Sequence, residues 1–233
     1  MGLGKQLGSA TAQVALSNAL VRAVSLLTLP YLTRVLSPEA YGVAAMANAS
    51  TYFVAVLAIA GIDMSYVRAY HSVGNEKVES IEAFVWRFTL ASGLAFGAIG
   101  ALTWVVVAKT VFDLPAYLGG IIGLGILLAP LNTMALTRAR LSNRYRAMSG
   151  SNVVAALGVA AVSMGVATWW RQDALPLVLA ILVGNLIPIL VLGMPGRDVL
   201  TTPSGFSRQE RRLILSVGLA GIVTAPMYWV LSS

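Results

Sequence analysis

Long apolar segments separated by short polar stretches dominate the pattern of this chain. Each segment approaches the ~20 residues that a helix needs to cross a bilayer. The pattern therefore predicts an all-α fold, a polytopic membrane helical bundle. The segments lie at about 9–36, 43–62, 84–108, 116–137, 149–170, 174–194 and 214–231.

Local signals refine the first boundary. The first segment is longer than a span requires and contains Pro30, so we expect it to be kinked, and either tilted or interfacial at one end. The next helix has a start signal. The Ser37 hydroxyl can cap it, and Pro38 and Glu39 suit the first turn.

The stretch after the sixth segment predicts a boundary between bundles. It carries Pro, Gly and Ser and then a basic run, Ser-Arg-Gln-Glu-Arg-Arg at 207–212, a composition typical of a linker. We therefore predict a transmembrane bundle at 1–194, a cytoplasmic linker at 195–213 and the start of a second bundle at 214–233.

Composition indicates that lipid solvates much of the surface. The chain is 58% hydrophobic and 11% charged, whereas soluble domains carry about 25% charged residues. It has no cysteine and one histidine, His71. Disulfides, thiolate metal sites and multi-histidine centres are therefore excluded, and we expect neither a metal nor a cofactor.

The net charge of +7 would suggest a nucleic-acid partner in a soluble protein. Here the basic residues lie in short loops between apolar segments, which indicates membrane orientation instead. We expect no nucleic acid and a cytoplasmic N-terminus. With that orientation the cytoplasmic side holds most of the Lys and Arg residues: Lys5, Arg68, Lys77, Arg87, Arg138, Arg140, Arg144, Arg146, Arg197, Arg208, Arg211 and Arg212.

The first segment contains a charge at membrane depth. Arg22 shares one helical face with Asn18 and Ser25, and a charge near the bilayer centre costs at least ~2.5–3.5 kcal/mol. One interpretation is the wall of a hydrated lumen for an anionic passenger. The other is a snorkelling arginine with neighbours that hold helices together. We favour the lumen because Arg22 lies several turns inside the segment.

The second segment ends near Asp63, and Arg68 follows one turn later. An interfacial ion pair of Asp63 with Arg68 or Arg22 is the simpler interpretation, and a coupling-cation site is the alternative. Asn132 and Asn185 lie beside Pro130 and Pro188. These two amides are expected to join helices, although transporters also place broken helices at binding sites.

Two pairs of glycines four residues apart, Gly93/Gly97 and Gly119/Gly123, are typical of close helix packing. No phosphate-binding glycine loop, metal-ligand cluster or pair of carboxylates in a long loop is present in the sequence. We therefore expect a protein that is not an enzyme.

The junction between the first two helices resembles a known family. Residues 34–42 read Arg-Val-Leu-Ser-Pro-Glu-Ala-Tyr-Gly. They resemble the Arg-x-Leu-Gly-Pro-x-x-Tyr/Phe-Gly junction of oligosaccharide flippases in the multidrug/oligosaccharidyl-lipid/polysaccharide exporter superfamily. Ser37 replaces the usual glycine, and residues 61–68 are similar to the ending of that family's second helix.

This resemblance implies the N-terminal lobe of a two-lobe exporter fold, with about six spans plus the start of a seventh. It implies a multi-pass protein of the bacterial inner membrane that flips an undecaprenyl-pyrophosphate-linked oligosaccharide for polysaccharide and O-antigen synthesis. The implied partners are the lipid-linked oligosaccharide, membrane lipids and other polysaccharide-assembly membrane proteins.

In this interpretation Arg22 is the main pyrophosphate contact. Asn18 and Ser25 lie beside it, Arg68 lies at the cytoplasmic entrance, and Asp63 is an ion or charge partner. The alternatives are a drug or cation antiporter, which would need acidic lumen residues, and a lipid II flippase of the same superfamily. A non-transporting membrane scaffold or a polysaccharide polymerase is a further alternative.

Overall fold

The structure is a computed structural model that describes residues 3–72, 75–108, 110, 115–170 and 173–196, with side chains for 11–71 and from 78 onward within these ranges. The described residues are helical and include no strand. The predicted segment 214–231 and nearly all of the linker lie outside them. The helices are α1 (Leu3–Val35), α2 (Pro38–Ile59), α3 (Ile62–Ser72), α4 (Asn75–Val107), α5 (Leu118–Leu141), α6 (Tyr145–Trp169) and α7 (Leu175–Leu192).

Every helix except α3 contains a stretch long and apolar enough to cross a membrane. These stretches match the six apolar segments that precede residue 195, so the predicted all-α membrane bundle is confirmed. They are Thr11–Val35, Pro38–Ile59, Val78–Val107, Leu118–Leu141, Tyr145–Trp169 and Leu175–Leu192.

The ends of α2 are set by local chemistry. The Ser37 hydroxyl accepts a hydrogen bond from the backbone N–H of Ala40 at 3.2 Å, and Pro38 occupies the first turn, which confirms the predicted start. At the other end Ala60 and Gly61 have φ angles of 49° and 66°. Two successive left-handed residues end the helix, and α3 begins at the next position.

Helix α3 is where the apolar pattern is wrong. The apolar segments predict no helix between residues 62 and 84, whereas α3 covers Ile62–Ser72, with His71 in its last turn. Ile62 and Tyr66 are buried in a cluster with side chains of α4 and α5, so α3 is stabilised by packing. Helix α4 likewise begins at Asn75, well before the predicted start at 84. The prediction missed its first turns because they are polar and carry no apolar signal.

Helix α5 forms the centre of the bundle. It packs against α2, α4 and α7, and 61% of its most apolar window is buried inside the protein, against 6% for α1. Helix α1 packs mainly along α6 at the edge of the bundle. The core therefore lies around α5, and α1 presents most of its surface outward.

The glycines identified in the sequence bring α4 and α5 together. A Cβ atom added to Gly123 would lie 2.7 Å from the backbone oxygen of Gly97, and one added to Gly97 would lie 2.7 Å from the oxygen of Gly123. Only glycine fits this approach. The predicted packing role of the Gly93/Gly97 and Gly119/Gly123 pairs is therefore confirmed here, and it holds the two helices in one register.

One end of the bundle carries α3, the α5–α6 turn and the C-terminus of α7. We call it the basic end, because Arg68, Arg138, Arg140, Arg144 and Arg146 lie there. There the Arg138 guanidinium forms an ion pair with the buried Glu82 carboxylate, joining α5 to α4. Burial and the nearby Glu82 charge raise the pKa of the Tyr66 hydroxyl on α3. Arg144 donates to the backbone oxygen of Leu192 at 3.2 Å, which ties the α5–α6 turn to α7.

Polar contacts also fasten the opposite end. The Tyr117 hydroxyl donates to Asp173 Oδ2 at 2.7 Å, and Asp173 Oδ1 accepts from the backbone N–H of Leu175 at 3.0 Å. Trp104 Nε1 donates to the Pro115 backbone oxygen at 3.1 Å. These bonds hold the beginnings of α5 and α7 beside the end of α4.

The α4–α5 contact gives a stability prediction. We expect Gly123→Ala to destabilise the folded protein by about 1–3 kcal/mol, because the added methyl group must displace the backbone of α4. Gly120→Ala, on the same helix, meets nothing within 4 Å and should be neutral or slightly stabilising. Thermal unfolding in detergent compares them, and an equal effect of both substitutions would contradict the proposed packing.

Candidate functional site

A cavity of about 1180 Å³ lies on one side of the bundle. Side chains of α1, α2, α5, α6 and α7 and the start of α3 line it, while α4 packs behind α5. Its polar lining residues come from every one of those helices: Asn18, Ser25, Thr28, Tyr41, Asn48, Tyr52, Asp63, Asn132, Thr133, Asn152, Ser163 and Asn185.

Asparagine side chains from several helices line this cavity. Each asparagine that lies within one of the six candidate spans lines it: Asn18, Asn48, Asn132, Asn152 and Asn185. A carboxamide without a hydrogen-bond partner is costly in an apolar environment. Five helices therefore each place one amide on the same internal surface, where a polar ligand or water can satisfy it.

Two of these amides are linked in a fixed direction. Asn132 Nδ2 donates to Asn185 Oδ1 at 3.1 Å, and Asn185 Nδ2 donates to the Ile181 backbone oxygen at 3.0 Å. The first bond joins α5 to α7, as expected for amides between helices, and the second lies within α7. They also fix which atom each amide presents, and Asn132 Oδ1 is left with no partner in the structure.

Asn48 Oδ1 on α2 is likewise buried without a hydrogen-bond partner. Buried polar atoms are nearly always paired, so two unpaired acceptors in one cavity call for an explanation. Both residues lie about half-way along their helices. The middle of the cavity therefore offers hydrogen-bond acceptors to a donor that the described residues do not supply.

The hydroxyl groups of the cavity wall donate to their own helices. Ser25 donates to the Val21 oxygen at 3.1 Å, and Thr133 donates to the Ala129 oxygen at 3.0 Å. Each hydroxyl oxygen keeps lone pairs for a ligand. These residues add acceptors to the cavity without adding charge.

Different residues line the two ends of the cavity. Asn18, Asn152 and Asp63 lie toward the basic end, Asn18 and Asn152 about 10 Å along their spans by helix rise. At the opposite end Leu32 and Leu177 belong to an apolar cluster of α1, α2, α6 and α7. The Tyr31 and Thr168 hydroxyls are 3.2 Å apart beside that cluster.

The polysaccharide biosynthesis protein family matches residues 7–225 of the chain. The chain belongs to this family. No curated protein and no solved structure matches it. The match covers all six described spans, and it confirms the family resemblance drawn from residues 34–42.

The predicted site residues of this family member divide into two groups. Asn18, Ser25 and Asp63 line the cavity. Arg22 and Arg68 have exposed side chains and are not among the lining residues. The structure brings the first three together on one internal surface and leaves both arginines outside it. Their roles in binding stay predictions.

Arg22 nevertheless lies at the edge of the lining face of α1. On an ideal helix it is rotated about 40° from Asn18 and about 60° from Ser25. Its long side chain begins next to the cavity, on the side where α1 presents exposed leucines such as Leu26. The guanidinium is therefore placed between the polar cavity and the outer surface of the bundle.

Charge is sparse in the cavity. Among the described lining residues the charged side chain is Asp63, and no lysine, arginine or histidine is present. The expected ion pair of Asp63 with Arg68 or Arg22 does not form within the described part of the chain. The cavity wall is thus mainly apolar, with neutral polar groups distributed over it and the Asp63 carboxylate near one end.

Sequence reasoning missed part of this site. The sequence assigns no role to Asn48 or Tyr52, and for Asn132 and Asn185 it favours helix contacts over a binding site. Asn152 was not singled out. The signal that identifies them is the presence of one asparagine in each of five apolar segments, a pattern that no single segment reveals.

Cysteine accessibility tests whether water fills the cavity. The chain has no cysteine, so single variants carry no background. We expect Ser25→Cys to react with a charged, membrane-impermeant thiol reagent in proteoliposomes, because its thiol faces water and can ionise. The neighbouring Leu26 is 69% exposed on the outer surface, and Leu26→Cys should stay unreactive in lipid.

Unfolding in detergent should make both variants equally reactive, which checks the reagent. Equal reactivity in the membrane would contradict a water-filled cavity. Arg22→Cys in the same assay reports whether water reaches the edge of the lining face.

Proposed function

We propose that this protein is a transporter, not an enzyme, and flips a lipid-linked oligosaccharide, carried on undecaprenyl pyrophosphate, across the bacterial inner membrane for polysaccharide synthesis. The observation that carries the proposal is the cavity lined by one asparagine from each of five membrane helices. Membership of the polysaccharide biosynthesis protein family supports it.

The chemistry of the lining suits sugars. Each carboxamide offers two donors and one acceptor oxygen, which matches the hydroxyl groups of a polyol. The Tyr41 and Tyr52 rings also line the cavity and provide aromatic faces for the apolar faces of sugar rings. Sugar hydroxyls that leave water in this cavity can therefore exchange hydrogen bonds with the protein, which lowers the cost of crossing hydrocarbon.

The position of Arg22 suits the pyrophosphate. The lipid tail of the passenger stays in the bilayer, and its anionic head must lie where lipid and cavity meet. Arg22 lies at the edge of the lining face of α1, one helical turn from Asn18 and well inside the span Thr11–Val35. In this proposal the guanidinium binds the pyrophosphate, and Arg68 attracts it at the basic end.

The orientation follows from charge. The basic end carries Arg68, Arg138, Arg140, Arg144 and Arg146, and basic loops favour the cytoplasm. We propose that this end and the N-terminus are cytoplasmic. The passenger then enters at the end of the cavity that Asn18, Asn152 and Asp63 line. Release on the far side requires separation of the apolar cluster around Leu32, in a rearrangement of the alternating-access type.

Asp63 favours one second candidate, an exporter of organic cations. It is the charged residue of the described cavity wall, and a cation would pair with it. Loss of a cation-resistance phenotype in Asp63→Asn, with surface polysaccharide unchanged, would favour this candidate over the flippase.

Replacement of Arg22 in the chromosomal gene tests the flippase. We expect Arg22→Ala to reduce surface polysaccharide at least about tenfold and to accumulate the lipid-linked precursor, because a charge-assisted contact contributes roughly 1.5–3 kcal/mol. Arg22→Lys should retain part of the activity, since it keeps the charge and loses the two-pronged geometry. Gel analysis of polysaccharide and extracted lipid measures both.

Arg146→Ala is the matched control, because Arg146 is exposed and outside the cavity. It should leave polysaccharide near the wild-type level. Immunoblots must show equal amounts of each variant. Full activity of Arg22→Ala would remove this arginine from the proposed translocation path.

A further inference from the structure

Resting on the proposed transport, we infer that the sugars held in this cavity are neutral hexoses and N-acetylhexosamines, without carboxylate, sulfate or phosphate groups. The inference concerns the glycan alone and leaves the pyrophosphate at Arg22. It follows from three properties of the wall: its two unpaired acceptors, the absence of cations among its described residues, and the one carboxylate that those residues include.

The middle of the cavity presents acceptors. Asn132 Oδ1 and Asn48 Oδ1 are buried and unpaired. The bond from Asn132 Nδ2 to Asn185 Oδ1 uses one of the two N–H donors of Asn132 and fixes the orientation of its amide. Hydroxyl groups and acetamido N–H groups are donors and satisfy such atoms. A sugar carboxylate only accepts hydrogen bonds, so it would leave these two oxygens unpaired.

The wall also lacks a counter-charge for an acidic sugar. Among the lining residues that the structure describes, no cationic side chain is present, and the one charged group is the Asp63 carboxylate. A second carboxylate would lose water without gaining a partner and would be repelled by Asp63. Specificity of this kind comes from what the site rejects.

The position of Arg22 separates the binding of the passenger's negative charge from the binding of its sugars. Its side chain starts at the edge of the lining face, outside the set of lining residues. The cation therefore lies where the pyrophosphate meets the lipid and not along the glycan. The passenger's negative charge and its sugars are recognised by different surfaces of α1.

The test compares two passengers that differ in one group. Both carry the same lipid and pyrophosphate and the same number of sugars, and in one a hexose is replaced by its uronic acid. The full-length protein is reconstituted in liposomes, and translocation is followed as loss of sensitivity to an external glycosidase. We expect the neutral passenger to move at least about tenfold faster, as expected for a mismatched buried polar group.

Two variants assign the discrimination to this wall. Asp63→Asn removes the repelling charge and should narrow the difference in rate by speeding the acidic passenger. Asn48→Lys places a cation beside the middle of the cavity and should reduce the difference between the two translocation rates further. Asn143→Lys, in the exposed α5–α6 turn, adds the same charge elsewhere and should leave the ratio unchanged.

The outcomes separate this inference from the proposed function. Equal rates for the two passengers would overturn neutral selectivity and leave flipping intact. A preference that persists unchanged in both wall variants would overturn its assignment to this cavity. Movement of neither passenger, or of an organic cation instead, would overturn the flippase and the inference together.

Discussion

A polar group inside a bilayer must find its partner within the protein, and this constraint organises the whole bundle. Backbone groups meet it through helices. Side chains meet it in two ways, either by bonding across helices, as the buried Glu82 does with Arg138, or by collecting on one hollow surface. The five asparagines of the spans belong to the second class. Their convergence distinguishes a polar cavity from the scattered amides of ordinary helix packing.

The bundle has a tightly packed side and a loosely packed side. Gly97 and Gly123 allow α4 and α5 to touch through their backbones, and α5 is largely surrounded by other helices. Helix α1 has one main neighbour, α6. The cavity lies between these two sides, so its lining residues belong both to the densely packed helices and to the peripheral helix α1.

Much of the fold could be predicted from the sequence because span-length apolar segments and the Ser37-Pro38 start are local signals. Helix α3 could not, since its burial depends on Tyr66 meeting partners distant in sequence. The cavity was half predicted. Asn18 and Ser25 share a helical face, which periodicity reveals, but Asn48 and Asn152 acquire neighbours only when different helices assemble. Periodicity also grouped Arg22 with them, although the lining face ends just short of it.

The edge position of α1 has a mechanical consequence. The helix is held at both ends of its span, because Val14 packs against the cluster that contains Met148 and the Tyr31 hydroxyl lies beside that of Thr168 on α6. The glycine contact joins α4 to α5 and involves neither α1 nor α6. A change in the width of the hollow that moved α1 and α6 together would therefore leave that contact in place.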